Sequence, residues 1–257
     1  MLQGLRLMVP SFRLDGKVAI ITGGSKGLGK AMALGFAGSG ADIVVASRKV
    51  EACEAVAAEI RSLGRRSLAL ACHVGHWTDC DDLVSRAIEE FGHIDILVNN
   101  AGIAPVPPSL DGISESLVDK TMNVNFKGPL RLTAVAANHI PYGGSIINIS
   151  TLASLRPSPH TVVYAAAKAG LNVLTRASAQ ELGPKGIRVN AIVCGAFDTD
   201  SFGKSMPTNA IQQLANQLPL GRVADSNEIV GTALFLASDA SAYMTGTLLS
   251  LDGGAGR

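Results

Sequence analysis

The sequence predicts a single α/β domain built on a doubly wound parallel sheet. Short apolar runs rich in Val and Ile, such as residues 17–22 and 42–47, lack the polar alternation of half-exposed strands, as is typical of parallel strands buried on both faces. A stretch with helical character follows each run, and this repeated β–α alternation is the pattern of doubly wound folds. Neither a linker nor an internal repeat interrupts the alternation, which favours one domain.

Composition narrows the class of protein. The 257 residues are 47% hydrophobic and 17% charged with a net charge of +1, which indicates a core-rich globular chain and no basic surface for nucleic acid. Because no apolar run reaches about 18 residues, we expect no membrane span. Residues 1–13 lack the features of a signal peptide and are predicted to be an N-terminal extension of a domain over residues 14–257.

The four cysteines, Cys53, Cys72, Cys80 and Cys194, are not spaced as metal ligands, so we predict no metal site. Their even number in a chain of this length is weak evidence for disulfides. Cys72 ends an apolar run and is predicted to be a buried thiol. A reducing, cytoplasmic location fits these cysteines best.

The first strand, residues 17–22, leads into a glycine-rich turn, Gly23-Gly24-Ser25-Lys26-Gly27-Leu28-Gly29, and then into a predicted helix over 30–39. Between a strand and a helix, such a turn is typical of a dinucleotide site. Gly23 permits the tight turn, Gly27 lets the backbone approach a pyrophosphate, and Gly29 lets the helix pack on the strand. The N–H groups at the helix N-terminus would then face the anion. The alternative is a turn that binds nothing.

The second strand, residues 42–47, ends at Ser47 and is followed by Arg48 and Lys49. An NAD-binding crossover is expected to have an acidic residue near this point, which accepts hydrogen bonds from the ribose hydroxyls. Ser47, Arg48 and the Lys26 of the glycine-rich turn instead offer donors and positive charge, which suit a 2′-phosphate. The sequence therefore favours NADP(H) over NAD(H); the alternative is that these cations are solvated surface charges.

The middle of the chain adds two strands and three helices. We predict a helix over 51–63, a strand over 67–72, a helix over 78–91, a strand over 94–98 and a helix over 114–139. Asn99-Asn100-Ala101-Gly102 follows the fourth strand, where Asn side chains can hydrogen-bond neighbouring backbone. Asn125 lies inside the last helix, where Asn is locally unfavourable, so we predict a polar role for it within the fold.

The chemistry is predicted to lie after the fifth strand, residues 145–149, where Ser150 and Thr151 precede an Ala-rich helix. Tyr164 and Lys168 are four residues apart and therefore share one face of that helix. A phenol titrates near pH ~10, and a nearby ammonium moves its pKa toward the range of general acid–base catalysis. Ser150 and Thr151 offer hydroxyls to a substrate oxygen. Because Tyr and Lys occur at this spacing by chance, the prediction depends on the neighbouring motifs.

The end of the chain completes the sheet. Strands are predicted over 186–193 and 247–251, a helix over 225–236, and a substrate lid over 200–217. The glycine-rich turn, Arg48, residues 99–102, the Ser150-Thr151 pair and residues 195–199 all follow predicted strands. Ligands bind at the carboxyl ends of the strands in such folds, so these segments are expected to form one site.

Together these motifs resemble the short-chain dehydrogenase/reductase family from about residue 14 onward. Thr22-Gly23-x-x-x-Gly27-x-Gly29 is similar to its cofactor turn, Asn99-Asn100-Ala101-Gly102 to its strand-stabilising motif, and Tyr164-x-x-x-Lys168 to its active-site pair. The resemblance implies a Rossmann-like fold in which Tyr164 is the acid–base, Lys168 lowers its pKa and holds the nicotinamide ribose, and Asn125 holds a proton-relay water. The implied catalytic residues are Asn125, Thr151, Tyr164 and Lys168. The implied cofactor-binding residues are Gly23, Ser25, Lys26, Gly27, Leu28, Gly29, Ser47, Arg48, Val74, Asn100, Ala101, Gly102, Tyr164, Lys168, Gly195 and Thr199.

Three positions depart from the family pattern. Thr151 stands thirteen residues before Tyr164, where the family usually has serine, and Ser150 is one residue early. Cys194 replaces the usual proline before Gly195, and His73 stands where an aspartate often contacts the adenine. Threonine keeps the hydroxyl, so carbonyl binding is compatible with this change.

The sequence thus predicts an enzyme that transfers a hydride between NADP(H) and a carbonyl or secondary-alcohol substrate, with Tyr164 transferring the proton. The alternatives are an NAD-dependent hydroxysteroid- or polyol-type dehydrogenase and a nucleotide-binding sensor or scaffold with little turnover. Asn125, Tyr164 and Lys168 argue against a scaffold. The resemblance also implies a homotetramer or homodimer, with a small-molecule substrate and neither nucleic acid nor membrane as a partner. The fold does not identify the substrate.

Overall fold

The apolar runs form a seven-stranded parallel sheet in a computed structural model that describes residues 11–199 and 208–256. The strands are β1 (Val18–Thr22), β2 (Asp42–Ser47), β3 (Ser67–Ala71), β4 (Ile96–Asn99), β5 (Ser145–Thr151), β6 (Arg188–Cys194), β7 (Phe197–Asp198), β8 (Ala224–Asp225) and β9 (Leu248–Leu251). Their order across the sheet is β3-β2-β1-β4-β5-β6-β9, and β7 pairs with β8 in a separate two-stranded sheet. The order reverses direction at β1, which confirms the predicted doubly wound fold.

Helices cover both faces of the sheet because its strands carry apolar side chains on both sides. The helices are α1 (Gly27–Gly38), α2 (Val50–Ser62), α3 (Trp77–Phe91), α4 (Glu115–Met122), α5 (Gly128–Ala136), α6 (Val162–Leu182), α7 (Thr208–Gln217) and α8 (Ile229–Ala237). One core cluster packs α1, α2 and α8 on the sheet, and a second packs α3, α5 and α6 on the other face. The carboxyl ends of the strands remain open between these two layers.

Two differences from the predicted boundaries affect the site. The predicted helix over 114–139 is interrupted by a π-helical segment, Asn123–Lys127, which contains Asn125. Such single-turn π segments are common at functional sites. The fifth strand continues through Thr151, two residues beyond the predicted end, so Ser150 and Thr151 are held by the β5–β6 ladder. Thr151 is paired with Cys194 in that ladder.

The described residues also bear on the predictions for the cysteines, the lid, the N-terminal extension and membrane spans. All four cysteines are free and buried, which confirms the prediction for Cys72. Residues 200–207 of the predicted lid and residues 1–10 of the predicted extension lie outside the described residues, whereas residues 208–217 form α7. Leu14 is buried in the core. Among the described helices, none combines the length and the apolar character needed to span a bilayer.

Candidate active site

The glycine-rich turn is shaped by contacts that exclude side chains. Gly23 and Gly27 adopt φ angles of 64° and 51°, in the left-handed region that favours glycine. A Cβ on Gly29 would lie 2.2 Å from the carbonyl oxygen of Gly23, so only glycine lets α1 start this close to the turn. Because α1 begins at Gly27, earlier than predicted, Gly27 and Gly29 lie in its first turn, where backbone N–H groups are available to an anion.

Asn100 ties the end of β4 to the end of β1. Its Nδ2 donates to the carbonyl oxygens of Thr22 at 2.8 Å and Gly23 at 3.3 Å. The Thr22 hydroxyl accepts from the backbone N–H groups of Asn100 at 3.0 Å and Ala101 at 3.1 Å, and donates to the carbonyl of Val98. These bonds hold the glycine-rich turn and the Asn100–Ala101 backbone side by side.

A cleft of about 640 Å³ opens over the carboxyl ends of the first four strands. The predicted cofactor-binding residues that line it are Gly23, Ser25, Lys26, Gly27, Leu28, Gly29, Ser47, Arg48, Val74, Asn100, Ala101, Gly102 and Thr199. Tyr164, Lys168 and Gly195 are outside the lining formed by the described residues. Lys168 is nevertheless adjacent, because a Cβ on Gly102 would lie 3.7 Å from its Nζ. A Cβ on Gly195 would lie 2.6 Å from the Cα of Asp252, which explains the glycine there.

The Lys and Arg side chains give the described lining of the cleft a positive charge. Four cations line it, Lys26, Arg48, Lys49 and Lys120, and none of the described lining residues is Asp or Glu. Arg48 is exposed and makes no hydrogen bond or ion pair with the described part of the chain. The Ser47 hydroxyl, by contrast, lies 3.0 Å from Cys53 Sγ and 3.3 Å from the Lys49 carbonyl oxygen. Together with the glycine cradle, this lining fits a dinucleotide that carries phosphates.

Sequence reasoning missed part of this lining. Lys49, Ala52, Cys72, Ile103, Lys120 and Val124 also line the cleft. Lys120 and Val124 are four residues apart and so share a helical face, but the sequence does not show that this face lines the cleft. His73, which stands at the expected adenine contact, lines the cleft as well, and its ring stacks on His76 with centroids 4.4 Å apart. Its Nδ1 is buried and has no hydrogen-bond partner among the described residues.

The side-chain amide of Asn125 hydrogen-bonds, through its oxygen and its nitrogen, to the backbone of Ile103, which lines the cleft. Oδ1 accepts from the N–H of Ile103 at 2.9 Å, and Nδ2 donates to the Ile103 carbonyl at 2.7 Å. Asn125 is fully buried, and its Oδ1 would lie 3.1 Å from a Cβ on Gly102. The polar role predicted for this Asn therefore has a structural basis, since it anchors the Gly102–Ile103 backbone to the π-helical segment.

Tyr164, Thr151 and Lys168 meet beyond the end of β5. The Thr151 side chain, which is close to the phenol, lowers the pKa of Tyr164. Burial has the larger effect, so the pKa of Tyr164 is raised overall. Lys168 does not contribute to this shift; its Nζ donates to the Ile149 carbonyl at 2.6 Å. The structure thus corrects the expected direction, because helical spacing cannot show that the phenol is withdrawn from water.

The buried ammonium of Lys168 is itself perturbed. Burial lowers the pKa of Lys168 to about 8, while Cys194 acts in the opposite direction. Burial also raises the pKa of the Cys194 thiol to about 12, with Lys168 opposing. Cys194 therefore stays a neutral thiol next to Lys168 at neutral pH.

The titration of Lys168 leads to a prediction about stability. The pKa of Lys168 is lower in the folded than in the unfolded chain. Between pH ~8 and ~10.4 the unfolded chain therefore binds more protons at this lysine than the folded chain does. Because of this difference, the stability of the folded protein rises with pH in this window. The unfolding free energy of the wild type should increase by about 3 kcal/mol across this window relative to Lys168→Met. Urea unfolding of both proteins at several pH values measures this difference. A difference that does not change with pH would contradict the assignment.

Ser150 and Thr151 occupy different environments. Ser150 is buried, and its hydroxyl donates to Asn172 Oδ1 at 2.7 Å. Thr151 is half-buried; its side chain is close to Tyr164, and its hydroxyl accepts from the N–H of Ala153 at 3.4 Å. The hydroxyl beside the phenol is therefore that of Thr151.

This difference predicts opposite results for two substitutions. Thr151→Val keeps the shape and removes the hydroxyl, so kcat/KM should fall about tenfold or more, as for the loss of a hydrogen bond to a developing charge. Thr151→Ser should retain activity. Ser150→Ala should cost stability and much less activity. Steady-state kinetics of the three variants provides the test, and a larger loss in Ser150→Ala than in Thr151→Val would contradict it.

Comparisons with known proteins agree with this arrangement. A family profile described as enoyl-(acyl carrier protein) reductase matches residues 23–256. The 2-dehydro-3-deoxy-D-gluconate 5-dehydrogenase of Escherichia coli is 37% identical over 252 residues, which are 96% of this chain and 98% of that protein. A 3-oxoacyl-(acyl-carrier-protein) reductase of Thermotoga maritima is 35% identical over 247 residues, covering 94% and 98%. A crystal structure of a short chain dehydrogenase from Burkholderia cenocepacia in complex with NADP is 35% identical and has a TM-score of 0.90, covering 95% of this chain and 100% of that one.

These similarities extend over almost the whole chain, and the solved structure shares the fold as well as the sequence. They involve the same segments that form the cleft and the Tyr164 cluster. This chain therefore belongs to the short-chain dehydrogenase/reductase family of oxidoreductases.

Proposed function

We propose that the protein is an NADP(H)-dependent enzyme that interconverts a carbonyl compound and a secondary alcohol. The observation that carries this proposal is the placement of Tyr164, Thr151 and Lys168 around the end of β5, next to a cleft lined by cations. A phenol, a hydroxyl and an ammonium in one place can donate to, orient and protonate a carbonyl oxygen.

When bound, the nicotinamide supplies or accepts the hydride. Tyr164 transfers the proton to or from the substrate oxygen, and the Thr151 hydroxyl donates a hydrogen bond to the same oxygen. Lys168 holds the nicotinamide ribose. Asn125 contributes by fixing the Gly102–Ile103 backbone, and we propose that it also holds a relay water.

The proposed preference for NADP(H) rests on charge. The 2′-phosphate adds about −1.5 to −2 charges to the dinucleotide, by analogy with other phosphate monoesters. Arg48 is exposed at the cleft, Lys26 and Lys49 line it too, and the described lining has no carboxylate to accept from ribose hydroxyls. The similar structure in complex with NADP supports the same choice.

The names of the similar proteins give more than one class of substrate. The two named relatives are a 3-oxoacyl reductase and a dehydrogenase of a sugar-acid derivative, so oxoacyl and polyol-type substrates are both candidates here. The sugar-acid relative favours keeping a polyol-type dehydrogenase as the second candidate function. We also expect a homotetramer or homodimer, with α5 and α6 as candidate interface helices.

The test is to follow NADPH consumption with 3-oxoacyl thioesters, ketosteroids, quinones and sugars, and NADP⁺ reduction with the corresponding alcohols. The same panel is repeated with NADH and NAD⁺. We expect turnover of at least one class with NADP(H). Tight NADPH binding without turnover of any class would instead support a nucleotide-binding sensor or scaffold.

A further inference from the structure

A chain of hydrogen bonds links Ser150 to the backbone carbonyl of Thr151 through Asn172 of α6 and Ser154. The Ser150 hydroxyl donates to Asn172 Oδ1 at 2.7 Å, and Asn172 Nδ2 donates to the Ser154 hydroxyl at 2.8 Å. The Ser154 hydroxyl in turn donates to the carbonyl oxygen of Thr151 at 2.6 Å. Asn172 is buried and lies one helical turn after Lys168, on the same side of α6.

The direction of each bond in this chain is determined. Ser150 and Ser154 each have one hydroxyl proton, and the shortest bonds use these protons on Asn172 and on the Thr151 carbonyl. Ser154 is then left with lone pairs, which accept from the amide group of Asn172. Asn172 is thus required as an acceptor on one side and a donor on the other, a combination that neither Asp nor Leu offers.

The same side of α6 holds three consecutive residues of β5. Lys168 donates to the Ile149 carbonyl, Asn172 accepts from the Ser150 hydroxyl, and Asn172 acts through Ser154 on the Thr151 carbonyl. Ser154 closes the short 3₁₀ turn Leu152–Ser154 that follows the strand. The backbone of Thr151 is therefore restrained by Ser154, while its side chain is close to Tyr164.

We propose that Asn172, acting through Ser154, is a positioning residue that holds the Thr151 hydroxyl against Tyr164. The proposal rests on the proposed function, in which Thr151 and Tyr164 contact the substrate oxygen. Without this hydrogen-bond chain, the Thr151 carbonyl loses its donor, and only the pairing with Cys194 of β6 restrains the end of the strand. The hydroxyl then moves away from the phenol, and small displacements of reacting groups are costly to catalysis.

The experiment uses Asn172→Asp and Ser154→Ala, with Ser154→Thr as the conservative variant that keeps the hydroxyl. Asn172→Asp is nearly isosteric and removes the donor to Ser154. Ser154 is half-buried, so Ser154→Ala is expected to fold even if Asn172→Asp does not. Thr175→Val is the matched control, because the Thr175 hydroxyl is buried on the same helix and accepts from Asn148 at 2.8 Å without contacting residues 149–154.

Two sets of measurements are made, and the second does not require turnover. The first is kcat and KM with the best substrate, together with the Kd for NADPH. The second is the pKa of Tyr164, by NMR of the protein carrying ring-labelled tyrosine. The chain has three tyrosines, and Tyr142 and Tyr243 are exposed, so the Tyr164 signal is distinguishable.

We expect Asn172→Asp and Ser154→Ala to lower kcat by roughly 10- to 100-fold, with the Kd for NADPH unchanged. Both should raise the pKa of Tyr164 further, because the Thr151 side chain that lowers it moves away from the phenol. Ser154→Thr should restore both quantities toward the wild type. Thr175→Val should lower the melting temperature while leaving kcat and the Tyr164 pKa as in the wild type.

The proposal is overturned if Ser154→Ala keeps wild-type kcat and Tyr164 pKa, or if Thr175→Val changes them as much. Either result would make the network a purely structural element. If the wild type turns over no substrate, the proposed function fails, and the pKa of Tyr164 in Ser154→Ala still decides whether the network positions Thr151.

Discussion

Replacing Tyr164 with Phe is expected to lower kcat/KM by roughly 10²–10⁴-fold, the usual contribution of a general acid–base group. The ring and its packing remain, and only the hydroxyl close to Thr151 is lost. NADPH binding should therefore change little. Steady-state kinetics and a fluorescence titration with NADPH separate these two effects.

The matched control for this variant is Tyr142→Phe. Tyr142 is exposed and lies outside the cleft lining, so the same chemical change there should leave the rate and NADPH binding as in the wild type. If Tyr164→Phe retained more than half of the wild-type rate, Tyr164 would not be the proton donor.

Replacing Arg48 with Asp is expected to remove most of the preference for NADPH over NADH and to reverse it in the strongest case. Charge-assisted hydrogen bonds contribute about 1.5–3 kcal/mol each before desolvation and ordering costs. With two partly exposed contacts to the 2′-phosphate, the wild type should prefer NADPH by roughly ten- to a few-hundredfold, at 1.4 kcal/mol per decade. The carboxylate introduced by Arg48→Asp would repel the phosphate and accept hydrogen bonds from the ribose hydroxyls.

The measurement is a side-by-side titration of wild type and variant with NADPH and NADH. Arg86→Asp serves as the control for the change in net charge, because Arg86 is exposed on α3 and does not line the cleft. The control should keep the wild-type preference. Equal or tighter NADH binding by the wild type would show that Arg48 points away from the cofactor and would refute the proposed preference.

Local patterns were sufficient for the architecture and for the main site segments. The strands were predictable because burial on both faces leaves continuous apolar runs, and β2 was placed over the residues it occupies. The glycine-rich turn and the Tyr164–Lys168 spacing were recognisable because each depends on a few neighbouring residues. The position of these segments at one edge of the sheet follows from the β–α alternation.

Other features depend on contacts between distant segments. The π-helical turn at Asn125 forms around bonds to Ile103, which is 22 residues away in sequence. The lining by Lys120 and Val124 depends on how α4 and the π-helical segment pack against α6, and helical periodicity does not report this packing. The hydrogen bonds of Asn172 reach residues 22 and 18 positions earlier.

The sequence by itself determined the doubly wound sheet, the glycine-rich turn and the placement of Tyr164 and Lys168 on one helix, since these are encoded in periodicity and in short spacings. Only the tertiary structure decided the protonation behaviour of that pair and the environments of Ser150 and Thr151. Burial raises the pKa of Tyr164 and lowers that of Lys168, while Ser150 turns into the core toward Asn172. The physical reason is that solvation and hydrogen-bond partners are set by residues brought together from across the chain, and no local pattern contains them.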